Sequence, residues 1–338
     1  MTITIPSADP LPLPAPPWLL WSLLMLTFFI HVLAMNFVLG GSIIALFART
    51  RRDGDAKRLS GWIGKVLPAA VAALLHEFPY DFLYGNIAAD SSIAKKYAPV
   101  GRHCHYWHVG QEIHDLADSE ALRAFGWGYL CHLAADTVAH NYFVPRQLVL
   151  TSSTSSVGHS YWESRVETHL GDAFARSARA LIRMDHDAAH AHLDRIISPT
   201  IFSVRTNRRL FRGMVHLTDM PGWQRGMQAA RERSRWDLDD ADVERHLSRS
   251  LDYMFDLLEG TDPQARQLDP SGERPLKVAK EIRRQALRDR GTADRAHLTL
   301  AAGEHYGLPD APLRFWDRVE RRLPWGTHQP DEGLDTAG

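Results

Sequence analysis

Cysteine is scarce in this chain, with only Cys104 and Cys131 in 338 residues. Two thiols cannot build the disulfide framework of a small secreted domain, and they lack the paired spacing of a cysteine-based zinc site. Any metal must therefore be held by histidine and carboxylates. An excess of one charge is missing too. Lys and Arg number 39 against 40 Asp and Glu, for a net charge of −1, so there is no broad basic field of the kind that non-specific nucleic-acid binding uses. Nucleic acid is not expected as a partner. Segments that alternate apolar and polar residues are few, which argues against a sheet. The length exceeds the roughly 100–200 residues of one typical domain, so a main domain with an appended segment is expected.

One long apolar run is present. After a Pro-rich leader (residues 1–17, PLPLPAPP), residues Trp18 to Ala48 are almost unbroken apolar sequence, longer than the roughly 20 residues a bilayer span requires. Trp18 and Trp21 suit an interfacial belt at one end. Arg49, Arg51, Arg52, Lys57 and Arg58 crowd the other, and the leader has no Lys or Arg. The positive-inside bias predicts a single-pass membrane helix with the N-terminus outside and the main domain cytoplasmic. His31 falls mid-span and reads as a neutral imidazole in lipid or at a helix contact.

Beyond the basic flank, apolar residues recur at three and four, which predicts helices over Leu59–Glu77, Val109–Leu116, Ser119–Asn141, Tyr161–Ala180 and Asp185–Ile197. The class is all-α. From about Thr206 the balance shifts to Arg and acidic residues, giving a charged helical extension over 206–328, and 329–338 reads as a disordered tail. The main helical domain is placed at 49–205.

Histidine carries the chemical signal. Of 18 in the chain, nine lie between His76 and His169. In GYLCHLAADTVAHNYFVP, His132, Asp136 and His140 are spaced four apart, so a helix presents imidazole, carboxylate and imidazole on one face. HSYWE places His159 and Glu163 at the same spacing. A third unit lies upstream, with Asp90 closing YGNIAAD and His103 and His105 in HCHYWH. Zinc accepts His nitrogen and carboxylate oxygen, so two such helices in contact could hold a binuclear centre. One His/acid pair alone is more often a surface ion pair. Here several units converge, and two of them sit in apolar, aromatic sequence where an unpaired charge is costly. By contrast His186, His190 and His192 in DHDAAHAHLD lie among Asp and Ala and read as a solvated face. Tyr106, Trp107, Tyr142, Phe143, Tyr161 and Trp162 are candidate walls of a headgroup pocket, with core packing as the alternative for each.

FLYGNIAAD, HCHYWHVG, GYLCHLAADTVAHNYFVP and GHSYWE together resemble the zinc-dependent phospholipase C family, which is similar in fold to the S1/P1 nucleases; the resemblance spans residues 64–170. It implies an all-helical phospholipase C/P1 nuclease-like domain that hydrolyses phosphodiesters and releases phosphorylated headgroups from phospholipids. It also implies one zinc ion held by Asp90, His105 or His103, His132 and Asp136, and a second held by His140, His159 and Glu163. Asp90 is further implied as the group that activates the attacking water. Family members bind a third zinc through a free N-terminal amine and an early histidine. This chain begins instead with the apolar run, and only His31 and His76 precede Asp90, so residues 1–60 read as a fusion or a replaced start. The expected function is a membrane-tethered zinc-dependent phosphodiesterase. The alternatives are a non-catalytic membrane protein stabilised by zinc, and a nuclease or nucleotidase using the same metals.

Overall fold

The computed structural model describes residues 67–314, apart from 94, 152–157, 160, 164, 167–177, 219, 235, 237, 262–263 and 291–294. The leader, the apolar run 18–48 with its basic flank, His31 and the tail 329–338 lie outside the described residues. Among the described residues every regular element is helical, in agreement with the all-α expectation, and no helix is long and apolar enough to cross a membrane.

Of the helix expected over 59–77, residues 59–66 lie outside the described residues, and α1 (Ala69–Glu77) covers most of the remainder, with Pro68 extended immediately before it. A second helix that periodicity does not reveal, α2 (Pro79–Ala88), follows after one residue and starts on a proline at its first position, where the missing N–H costs nothing. α3 (Trp107–Asp115) precedes the central helix α4 (Glu120–Val138), whose first turn is capped by Ser119 Oγ accepting from the Leu122 N–H at 3.3 Å.

Fifteen of the 19 residues of α4 are buried, so it is surrounded rather than amphipathic. α2 crosses it so closely that a Cβ on Gly85 would lie 2.1 Å from the Phe125 carbonyl oxygen, and one on Gly128 would lie 2.0 Å from that of Phe82. Glycine at both crossing points brings the two backbones together and sets Asp90, just past the end of α2, beside the histidines of α4.

The central helix does not stop near Asn141 as expected. It passes through a π-helical turn, Ala139–Phe143, closed by the Val144 N–H bonding to the Ala139 carbonyl, and continues as α5 (Val144–Thr151). Pro145 has no N–H to give to the carbonyl four residues back. The wide turn absorbs that loss without breaking the rod.

The charged region beyond 206 is not set apart from this core. After α6 (Asp187–Ile196), α7 (Val204–Thr218) and α8 (Pro221–Glu232), helix α9 (Asp240–Glu259) packs on α4, while α10 (Glu273–Arg290) and α11 (Arg295–Tyr306) pack on α5. A single hydrophobic cluster runs from Leu67 to Tyr306.

The solvated-face reading of 186–192 is corrected for two of its three histidines. His192 is fully buried and donates from Nε2 to the Ile113 carbonyl at 2.7 Å, and His186 is buried with its ring stacked 3.6 Å from that of Tyr84. Ala189, Leu193 and Ile196 define the core face of α6, and a carbonyl of α3 satisfies an imidazole there. Asp187 is exposed as expected.

Candidate metal centre

Asp90 sits on a 3-10 turn (Ala89–Ser91) after α2, His105 precedes α3, and His132 and Asp136 are one turn apart on α4. Their polar atoms meet. His105 Nε2 lies 3.2 Å from Asp90 Oδ1, 3.0 Å from Asp136 Oδ2 and 3.2 Å from His132 Nε2, and His132 Nε2 lies 3.2 Å from Asp136 Oδ2. All four residues are buried. Of the two histidines in HCH, His105 joins this group. His103 Nδ1 instead accepts the His105 backbone N–H at 3.1 Å, and burial, with the nearby His105 and Lys95, pushes its pKa down to about 2.

The second group is formed by His140 on the π turn with His159 and Glu163 from the helical residues 158–159 and 161–163. His159 Nε2 lies 2.7 Å from Glu163 Oε1, His140 Nε2 lies 3.3 Å from the same oxygen, and the two Nε2 atoms are 3.3 Å apart. Asp136, in the first group, also approaches the second, its Oδ2 4.0 Å from His140 Nδ1. Burial by itself would push the Asp136 carboxyl up, yet His132, His140 and His105 hold it well below the usual carboxylate range. Glu163 is likewise lowered against its burial by His159 and His140.

The donors fit zinc. Atoms held at about 2.0–2.2 Å by one tetrahedral ion stand roughly 3.3–3.6 Å apart, close to the spacing in both groups. Asp90, His105 and His132 form one cluster whose ligand atoms lie within 4.8 Å of one another, and His140, His159 and Glu163 form another. Glu163 Oε2 is buried with no hydrogen-bond partner. Such an atom is costly unless something else binds it.

Two groups that sequence reasoning did not single out touch this centre. Lys95 Nζ lies 2.7 Å from Asp90 Oδ1 and 3.1 Å from His105 Nε2. Burial would lower the pKa of the ammonium, but Asp90 and Cys104 raise it above its ordinary value, so it stays charged. Cys104 Sγ lies 3.2 Å from His105 Nδ1. Nothing in the spacing of DSSIAKKY marks Lys95 as turned inward. His76, the histidine nearest the start among the described residues, is exposed at the end of α1. Of the six aromatic candidates, Phe143 and Trp162 are core residues, whereas Tyr106, Trp107, Tyr142 and Tyr161 are half-exposed.

Among the described residues, fold and site together define a helical domain with two neighbouring buried His/carboxylate groups. Residues 58–201 match the family model described as zinc dependent phospholipase C. Neither the curated proteins nor the solved structures give a match.

Proposed function

We propose that the chain is a zinc-dependent phosphodiester hydrolase acting on phospholipids, with one ion held by Asp90, His105, His132 and Asp136 and a second by His140, His159 and Glu163. The observation that carries this reading is the convergence of seven buried ligand-type side chains on two adjoining points, with Asp136 in the first group and 4.0 Å from the His140 ring of the second. Bound there, zinc supplies Lewis acidity toward the phosphoryl group and an activated water at neutral pH. The chain's own residues do the positioning. Asp90 is the candidate base, but Lys95 and the neighbouring histidines hold its carboxyl well below the usual range against its burial. A carboxylate held that low accepts protons poorly, so Lys95 must leave Asp90 before it acts. The half-exposed Tyr106, Trp107, Tyr142 and Tyr161 are placed to line the approach of a headgroup. Residues 18–48 would tether the domain to the membrane, with the helical domain on the cytoplasmic side; a reporter fused after Gly338 that is active only outside the cytoplasm would overturn that orientation.

A second reading, a zinc-stabilised protein without catalysis, draws support from the Lys95 ammonium within the first group. One experiment separates the two. Phosphatidylcholine vesicles are incubated with the full chain, zinc-loaded or chelated, and the released phosphorylated headgroup is measured. Zinc-dependent release supports the hydrolase; bound zinc without release supports the scaffold.

A further inference from the structure

His140 is held from behind by a part of the chain that lies outside the family match. Between a 3-10 turn (Ala265–Gln267) and α10, three consecutive carbonyls point at the centre's supports. Leu268 O accepts from Trp107 Nε1 at 3.1 Å, Asp269 O accepts from Asn141 Nδ2 at 2.8 Å, and Pro270 O accepts from His140 Nδ1 at 2.7 Å. A carbonyl only accepts, so Nδ1 of His140 carries the hydrogen. A neutral imidazole then presents its Nε2 lone pair to His159 and Glu163, the tautomer a metal ligand needs.

The turn is built to bring this carbonyl in. The Asp269 carboxylate accepts from the Ser271 N–H at 2.9 Å and from Ser271 Oγ at 2.6 Å, and Gly272 adopts φ +67°. A Cβ on Gly272 would lie 2.7 Å from His140 Cβ and 3.0 Å from its Cγ.

We propose that the turn 268–272 is a positioning element of the second ligand group: the Pro270 carbonyl fixes the ring and tautomer of His140, and only glycine at 272 leaves the ring its place. The inference rests on the zinc reading above and extends it to the region after residue 201.

Gly260 supplies the control. It also has positive φ, +69°, but a Cβ there meets nothing within 4 Å, so Gly260→Ala carries the backbone strain alone. Zinc affinity is read by chelator competition on the full chain, following the binding step that Glu163→Gln removes. Gly272→Ala should weaken that step by about 10–100-fold, the usual effect of losing a supporting contact to a metal-ligating His, while Gly260→Ala binds as the parent does. Asp269→Ala loosens the turn without adding bulk and should weaken the step in the same direction, so the question is answered even if Gly272→Ala does not fold. Against its burial, Asp136 and Glu163 raise the pKa of His140, so its nitrogen NMR signals are read in metal-free protein at a pH high enough to leave the ring neutral. They should report a protonated Nδ1 in the parent and a mixture of tautomers in Asp269→Ala. A parent that binds no zinc refutes the metal reading and the inference with it. A parent that binds zinc, with Gly272→Ala and Asp269→Ala both unchanged in affinity and in tautomer, refutes the positioning role alone.

Discussion

Lys95 sets its ammonium 2.7 Å from Oδ1 of Asp90, so a fixed cation already holds an oxygen that a divalent ion would use. The two cations repel each other and compete for one carboxylate. Lys95→Met keeps the unbranched stem and removes the charge. Zinc affinity of the first group should rise by about 10-fold or more, since charges a few ångströms apart interact by several kcal/mol in a partly buried site. The metal-free protein should lose about 3–5 kcal/mol, as when one partner of a buried pair is removed. Zinc titration and urea denaturation in chelator check the two signs, and an unchanged affinity would show that Lys95 does not compete.

The crossing of α2 and α4 gives a prediction about packing alone. Gly128→Ala places a Cβ 2.0 Å from the Phe82 carbonyl oxygen, on backbone that cannot yield without separating the helices. The loss should be about 1–3 kcal/mol or more. Gly213→Ala, in the middle of α7 with open space around it, should instead stabilise by roughly 0.5–1 kcal/mol. Denaturation midpoints of the two variants should move in opposite directions.

Acid should weaken the fold through α6. Burial, together with Arg208, His186 and Arg212, pushes His190 down to about 4 despite the opposing Asp187, and His190 Nε2 lies 2.8 Å from the Tyr84 hydroxyl. An unfolded histidine titrates near 6.5. The unfolded chain therefore binds more protons between those values, and stability present above pH 6.5 is lost as pH falls toward 4. His190→Gln should flatten that part of the profile, measured by urea midpoints from pH 7 to 4 with chelator present. An equally steep loss in the variant would assign the acid sensitivity elsewhere.

The ligand-type residues were legible because helical spacing needs no tertiary information. His132, Asp136 and His140 fall on one side of one helix, and His159 and Glu163 are one turn apart. The choice between His103 and His105 was not legible, since both flank Cys104 in a segment outside any helix. Lys95 turns inward only because Asp90 and His105 are folded against it. Pro270 and Gly272 meet His140 across 130 residues of chain, and no local pattern announces such a contact. His186 and His192 were read as solvated because their neighbours in sequence are polar, whereas their burial is decided by Tyr84 and the Ile113 carbonyl. The short α2 was hidden by Pro79 and Gly85, residues that signal a turn until the second helix supplies the crossing.

The proposed function makes Asp136 a zinc ligand, and the most direct test is the zinc content of the full chain beside that of Asp136→Asn. The substitution keeps the size of the side chain and removes the charge that lies within the first group and 4.0 Å from the His140 ring of the second. Asp187→Asn serves as the control, because its side chain is exposed and surface changes usually stay within about ±0.5 kcal/mol. Elemental analysis should find about two zinc ions per chain in the parent and in Asp187→Asn. It should find little or none in Asp136→Asn, which still folds as a helical protein and no longer releases headgroup. Parental zinc content and activity in Asp136→Asn would contradict the account at its centre.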